Sequence, residues 1–201
     1  QAYVVLDAFP KGSQVKILPA ERKIIGYCRN NSGGVPVNFH NYFVIEFDQE
    51  FISAKAWQDS TLLEGLEAEA DHVGAIIGFK TQKGQAVHVK IASSFISPEQ
   101  AALNLAREIG DQTFDDLVKA GKEAWNKELG RIQVEGKNQD QIRTFYSCLY
   151  RLLLFPRKFY EYDAEGKVVH YSPYNGKVLP GYMFTDNGFW DTFRAVFPFF
   201  N

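Results

Sequence analysis

The hydrophobic pattern of the sequence changes its period at Ser97. Before that residue, short runs of β-branched and aromatic residues are separated by turn-forming residues, and the densest run covers residues 42–47. After it, apolar residues recur at three- and four-residue steps, which is the spacing of one face of a helix. Strands that all precede the helices favour an antiparallel β-sandwich followed by a separate helical part.

The pattern also predicts where the individual elements lie. Strands are expected at residues 3–6, 15–18, 23–28, 42–47, 74–79 and 86–92, and a short extended piece at 131–136. Ser97 is a suitable N-cap for a first helix, with Gln100 as its capping-box partner, and Gly110 closes that helix. A second helix is predicted after Thr113, a third ends before Pro156, and Asp186 can cap a last one.

Composition and motifs exclude several classes of function. The chain has 201 residues and a net charge of −2 with both signs mixed throughout, so it offers no basic surface for nucleic acid or anionic lipid. No apolar run reaches the roughly 20 residues of a membrane span. The four histidines are scattered, without a pair at ligand spacing, and no nucleotide-binding or nucleophile-elbow motif occurs. The two cysteines, Cys28 and Cys148, are expected to be buried thiols.

The remaining candidates for a functional site are carboxylates that lie near aromatic residues in the sequence. Aromatic residues make up 15% of the chain and are concentrated in its last third, where they can form a core or stack on sugar rings. Hydrolysis of a glycosidic bond needs an acid and a second carboxylate. The candidates near the aromatic residues are Asp186, Asp191, Glu161 and Asp163. Asp186 can instead be a helix cap, and Asp191 can form only a surface pair with Arg194.

A loop that contains Gly33 and Gly34 joins two predicted strands. Two consecutive glycines permit positive φ or a close approach of the backbone to another group. The loop is therefore either an ordinary surface connection or one that reaches towards a neighbouring domain.

Several stretches, in collinear order, resemble glycoside hydrolase family 92. They are Asn-Ser-Gly-Gly-Val-Pro at 31–36 followed by residues 42–48, then 94–97 with 100–101, 123–129, 145–150, and Trp-Asp-Thr-Phe-Arg-Ala at 190–195. The resemblance covers nearly the whole chain. No single motif is decisive, but their order and spacing together are specific.

The resemblance implies a β-sandwich joined to an (α/α)6 barrel, with the active site between them. It implies a calcium-dependent, inverting exo-α-mannosidase, most commonly specific for α-1,2 linkages, that is secreted to the periplasm or outside bacterial cells and acts on mannose-containing glycans. In that family the Trp-Asp pair helps to form the mannose pocket. Carried over, Trp190 forms a wall of the pocket, Asp191 accepts hydrogen bonds from sugar hydroxyls, and Arg194 orients acidic groups. Gly33 and Gly34 border the site from the sandwich.

The resemblance also sets the expected domain organisation. The sandwich is expected at 1–96, a helical linker at 97–136, and the start of the barrel at 137–201, with both domains truncated. The family's general acid, general base and calcium ligands are then expected beyond Asn201, so no catalytic or metal-binding residue is carried over. The isolated chain is expected to be inactive and to self-associate through its exposed helices.

Two other functions fit the same architecture. Glucoamylase-like and phosphorylase-like enzymes also combine a sandwich with a helical barrel, and fold alone does not separate them. A non-catalytic sugar-binding or interaction module is the third reading.

Overall fold

The computed structural model describes the backbone of residues 1–194 and 196–200, and their side chains except those of Phe189, Asp191 and Phe200. The chain forms two compact units, residues 1–111 with 161–181, and residues 112–160 with 182–201. Each unit is therefore built from two separate stretches of chain. The domain boundaries predicted after residues 96 and 136 stay predictions.

The first unit contains two antiparallel sheets. Its strands are β1 (Ala2–Asp7), β2 (Ser13–Leu18), β3 (Lys23–Cys28), β4 (Asn41–Phe47), β5 (Ser53–Gln58), β6 (Thr61–Leu62), β7 (Glu67–Ala70), β8 (Val73–Phe79) and β9 (Val89–Ser94). One sheet has the order β1-β8-β5-β6, and the other has the order β7-β2-β3-β4-β9. A short 3-10 turn at Pro19–Glu21 connects β2 to β3.

The two sheets pack face to face, which confirms the predicted sandwich. Ile24, Ile45 and Phe47 of the five-stranded sheet share one buried cluster with Ile77 and Phe79 of the other. Alternation along the strands explains this, because every second side chain points to the same face. Full burial of a side chain of this size stabilises the fold by about 1.5–3 kcal/mol.

Helix α1 (Pro98–Glu108) covers the outer face of the five-stranded sheet. Its residues Ala101 and Leu105 are buried against Val44. Ser97 caps the helix as predicted, since its side chain accepts a hydrogen bond from the backbone N–H of Gln100. The Gln100 side chain does not complete a capping box; its amide donates to Asn104 at 2.9 Å instead.

The returning stretch of the first unit adds a small three-stranded sheet. Its strands are β11 (Glu161–Tyr162), β12 (Val168–Tyr171) and β13 (Val178–Pro180), in that order. The guanidinium of Arg107 on α1 donates to the carbonyl oxygens of Tyr162 at 2.7 Å and Asp163 at 2.9 Å. These hydrogen bonds fasten β11 to the end of α1.

The second unit is mainly helical. Its elements are α2 (Phe114–Leu129), α3 (Gln139–Leu152), β10 (Arg157–Lys158), β14 (Phe184–Thr185), α4 (Phe189–Thr192) and α5 (Val196–Phe200). Thr113 and Asp116 form a capping box at the start of α2, in agreement with the predicted start. The Trp125 ring of α2 contacts Tyr150 of α3, with ring centroids 4.5 Å apart. Phe114 and Val118 on α2 are more than half exposed.

Two sequence predictions about local structure are wrong, namely the start of one strand and the burial of the cysteines. The strand expected at 86–92 begins at Val89, because the backbone N–H of His88 binds the Asp48 carboxylate at 2.9 Å. The extended piece predicted at 131–136 is not part of a sheet, and the Tyr146 hydroxyl satisfies backbone groups of Ile132 and Val134. Cys148 is exposed, because α3 buries only Leu149, and Cys28, the last residue of β3, is only partly buried.

Within the described residues, every helix is too short or too polar to cross a membrane.

A hydrogen bond between strands makes the sandwich sensitive to high pH. The Tyr27 hydroxyl on β3 donates to Glu69 on β7 at 2.7 Å. Burial first, and then the hydrogen bond and charge of Glu69, raise the pKa of Tyr27 from 10.0 to about 12. Since the folded pKa lies above the unfolded one, this contribution to stability is complete below about pH 10 and is lost as the pH rises towards about 12.

Tyr27→Phe is therefore expected to remove the last tyrosine to ionise in an ultraviolet titration, and to flatten the fall in stability across that pH range. Tyr3→Phe, on the exposed face of β1, is the matched control and should keep the late titration. An unchanged alkaline profile in Tyr27→Phe would contradict this account.

Candidate functional site

The segment with the Trp-Asp motif begins at a small two-stranded sheet. Strand β14 pairs with β10, so that Thr185 lies opposite Arg157 and Phe184 opposite Lys158. The chain then turns at Asp186, whose φ is 64°, and reaches α4 three residues later, at Phe189. This pairing sets the point from which the motif helix starts.

The prediction that Asp186 caps the last helix is wrong. Gly188 occupies the N-cap position of α4, and no side chain caps it. The carboxylate of Asp186 instead accepts a hydrogen bond from Nε of Arg157, with which it forms an ion pair. The first turn of α4 is held by the Thr192 hydroxyl, which donates to the Gly188 carbonyl oxygen at 2.7 Å.

A cavity of about 280 Å³ lies beside this turn. Its polar lining comes from Arg151, Asp186, Asn187 and Thr192, and its apolar lining includes Leu152, Phe155 and Val196. Small-molecule sites usually measure about 300–1,000 Å³, so this cavity has room for one sugar ring more readily than for a chain of them. A cation, an amide and a hydroxyl beside an apolar wall complement the hydroxyls and apolar face of a pyranose.

The predicted pocket residues of the motif lie in this same unit. Trp190 is in α4 and its side chain is 85% exposed, so it has no place in a core. Asp191 is also in α4, but its side chain lies outside the described residues. The Arg194 guanidinium lies over the ring of its neighbour Phe193, at 5.3 Å from the centroid. The roles assigned to these three residues stay predictions.

The aromatic residues before the motif are partly used in packing. The Tyr160 ring contacts Tyr182 and Phe184 edge to face, at centroid distances of 4.9 and 5.7 Å. Tyr182 and Phe184 nevertheless remain 65% and 53% exposed. This cluster therefore supports the β10–β14 pair and still presents aromatic surface to solvent.

Two of the carboxylate candidates have structural roles. Both oxygens of Glu161 are occupied, one by the backbone N–H of Phe95 at 3.0 Å and the other by the Asn104 amide at 2.7 Å. Asp163 accepts a hydrogen bond from the backbone N–H of Lys167 at 2.7 Å and closes the turn before β12. Glu161 therefore holds β11 to the neighbouring backbone and α1, and Asp163 shapes a turn.

Gly33 and Gly34 belong to the first unit, in the loop between β3 and β4. Their φ angles are 100° and 77°, a region that favours glycine. A Cβ at either position would meet no atom of the described chain within 4 Å. The glycines are thus explained by backbone conformation and not by close packing, and their place at the edge of a sugar site stays a prediction.

Models of two protein domains match consecutive parts of the chain. The N-terminal domain of glycosyl hydrolase family 92 matches residues 1–94, and the catalytic domain of that family matches residues 100–201. The chain belongs to glycosyl hydrolase family 92.

Solved structures of family 92 proteins agree with this assignment. A family 92 inverting mannosidase from Bacteroides thetaiotaomicron is 50% identical over 98% of this chain, with a TM-score of 0.95. A family 92 α-mannosidase from the same organism is 26% identical over the whole chain, with a TM-score of 0.86. The chain spans only 27% and 28% of these two proteins. A search of curated proteins found no match.

The calcium implied by the family 92 resemblance does not fit the described side chains. Among them, no three His, Cys, Asp or Glu residues come together in a way that could hold a metal ion. Calcium takes six to eight oxygen ligands, most of them from carboxylates and carbonyls. Calcium held by the described residues of this chain therefore has no part in the proposed function.

Three residues of this region were not predicted from the sequence: Arg151, Asn187 and Arg157. Arg151 and Asn187 line the cavity, and Arg157 pairs with Asp186. No motif in the neighbouring sequence identifies them as site residues. Arg151, for example, lies at the end of an ordinary amphipathic helix. The pair of Arg157 with Asp186 joins positions 29 residues apart.

Proposed function

We propose that the whole protein is an exo-acting α-mannosidase that inverts the anomeric configuration and removes terminal, α-1,2-linked mannose from glycans. The observation that carries this proposal is the cavity beside the Trp-Asp motif. It lies within the stretch that matches the family 92 catalytic domain, and it has the size and mixed lining of a site for one sugar. An exo-acting enzyme needs such a pocket for the terminal residue.

The proposal assigns the pocket residues as follows. Trp190 covers the apolar face of the mannose ring, since its indole is exposed and no packing role competes for it. Asp191 accepts hydrogen bonds from ring hydroxyls, and Arg194 orients acidic groups. Gly33 and Gly34 would border the site from the sandwich.

The acid and the base of the reaction would come from elsewhere in the protein. Inversion requires two carboxyl groups roughly 6.5–9.5 Å apart, so that a water fits between the base and the sugar. The Asp186 carboxylate at the cavity is already paired with Arg157, and Glu161 and Asp163 have structural partners. The calcium ligands would also come from elsewhere in the protein.

The proposed cellular location follows from the proposed substrate. Mannose-rich glycans lie outside the cytoplasm, which supports a periplasmic or extracellular location. The exposed apolar side chains of α2, including Phe114 and Val118, would lead this stretch of chain on its own to self-associate.

The whole protein is expected to hydrolyse α-1,2-mannobiose and to leave maltose intact, because the pocket is assigned to terminal mannose. Proton NMR of the first product should show β-mannose, the sign of inversion. A chelator should abolish turnover and added calcium should restore it. Residues 1–201 alone are the matched control and should give no turnover above a buffer blank. Maltose hydrolysis, or α-mannose as the first product, would contradict the proposal.

A further inference from the structure

The direction of the motif helix depends on a single turn. Strand β14 ends at Thr185, and only Asp186, Asn187 and Gly188 separate it from α4. Asp186 adopts a left-handed conformation with φ of 64°, which non-glycine residues seldom occupy, although aspartate tolerates it better than most. Because Trp190 and Asp191 follow within five residues, a change in this turn would redirect both.

Arg157 is the residue that holds the turn. Its Nε donates to the Asp186 carboxylate, in a charge-assisted hydrogen bond that is also an ion pair. The pairing of β10 with β14 holds the Arg157 backbone, and the Phe155 ring, whose centroid lies 5.8 Å from the guanidinium carbon, contacts its largely exposed side chain. A fixed guanidinium loses less freedom when it binds a carboxylate than a mobile one does.

We propose that Arg157 is a positioning residue for the mannose pocket. Through the Asp186 carboxylate it holds the turn at 186–188, and the turn sets where α4 presents Trp190 and Asp191. This inference rests on the proposed mannosidase function. It assigns Asp186 to the framework of the cavity and not to contact with the sugar, since the negative charge of Asp186 is already balanced by Arg157.

Kinetics of the whole protein on α-1,2-mannobiose test the proposal. Arg157→Gln is expected to lower kcat/KM about tenfold, with most of the loss in kcat, because misplaced pocket residues weaken binding of the transition state more than of the substrate. Arg157→Lys keeps the positive charge but loses the planar guanidinium group, so its kcat/KM should lie between those of Arg157→Gln and the wild type. Asparagine at position 186 tolerates the same backbone conformation as aspartate. Asp186→Asn should therefore lower kcat/KM by the same factor as Arg157→Gln.

The double variant separates positioning from direct binding. If both residues act through one interaction, Arg157→Gln with Asp186→Asn is expected to be no worse than either single change. A loss in the double variant equal to the product of the two single losses would overturn the proposal. So would a large loss in Asp186→Asn with none in Arg157→Gln, which would make Asp186 a ligand of the sugar.

Hydrogen exchange gives a readout that does not depend on activity. Arg157→Gln is expected to speed amide exchange in residues 186–192 several-fold. Arg143→Gln breaks an exposed Arg–Asp pair on α3 and is the matched control, which should leave exchange and kinetics unchanged. If the wild type hydrolyses no α-mannoside, the proposed function fails, and exchange alone decides whether Arg157 holds the turn. Unchanged exchange in Arg157→Gln would overturn the inference.

Discussion

Trp190→Ala is expected to lower kcat/KM of the whole protein on α-1,2-mannobiose by about 30- to 100-fold. An indole presents roughly 150–250 Å² of surface, and a sugar ring that covers half of it removes about 100 Å² from water. At about 25 cal/mol per Å², the contact is worth about 2–3 kcal/mol, and each 1.36 kcal/mol corresponds to a factor of ten. Steady-state kinetics give the ratio.

The exposure of Trp190 makes this prediction specific. Its side chain is 85% exposed, so its removal should change stability by no more than about 0.5 kcal/mol. Trp125→Ala is the matched control, because that indole packs on Tyr150 between α2 and α3. Trp125→Ala should lower the melting temperature and spare kcat/KM. Activity at the wild-type level in Trp190→Ala would remove Trp190 from the mannose pocket.

Much of the fold could be predicted because its determinants are local. Ser97 and Thr113 cap α1 and α2 with their own side chains, which accept hydrogen bonds from backbone N–H groups three residues away. The alternation of buried residues in β2 likewise follows from the pleat, which sends neighbouring side chains to opposite faces. Patterns of this kind can be read from a few adjacent residues, and the sandwich followed by helices is confirmed.

The failures occur where a distant residue supplies the partner. Asp186 has the composition of an N-cap, but Arg157 lies within reach and takes its carboxylate. Residues 86–88 have the pattern of a strand, but the Asp48 side chain binds the His88 backbone. In both cases a charged hydrogen bond over many residues replaces the local one, and a linear pattern does not contain that information.

The site could be predicted only in part for a similar reason. Trp190, Asp191 and Arg194 are adjacent in a motif, so a resemblance between sequences identifies them together. The cavity beside the motif is lined by other residues, among them Arg151 from α3 and Asn187 from the turn, which meet only after folding. Glu161 and Asp163 resembled acid–base candidates because they are acidic residues among aromatics. The structure shows that backbone and amide groups occupy their carboxylates.

Gly26→Ala is expected to be among the most destabilising single methyl additions in the sandwich, costing about 3 kcal/mol. Gly26 lies in the middle of β3, opposite Val15 of β2 and Phe43 of β4. A Cβ at this position would lie 2.0 Å from the Gln14 carbonyl oxygen and 2.7 Å from Cζ of Phe43. The Phe43 ring can move, but the Gln14 carbonyl belongs to the neighbouring strand and can move only if the ladder shifts.

Hydrogen exchange by mass spectrometry on the whole protein measures this cost within the sheet itself. Amides of β2, β3 and β4 should exchange about 100-fold faster in Gly26→Ala, since about 3 kcal/mol corresponds to two factors of ten. Gly65→Ala is the matched control in the same unit, because the nearest atom to its added Cβ is the Glu67 carbonyl oxygen at 3.7 Å, an ordinary contact. Similar exchange in both variants would mean that β2 and β3 can separate without loss, and that the close approach at Gly26 does not constrain the sandwich.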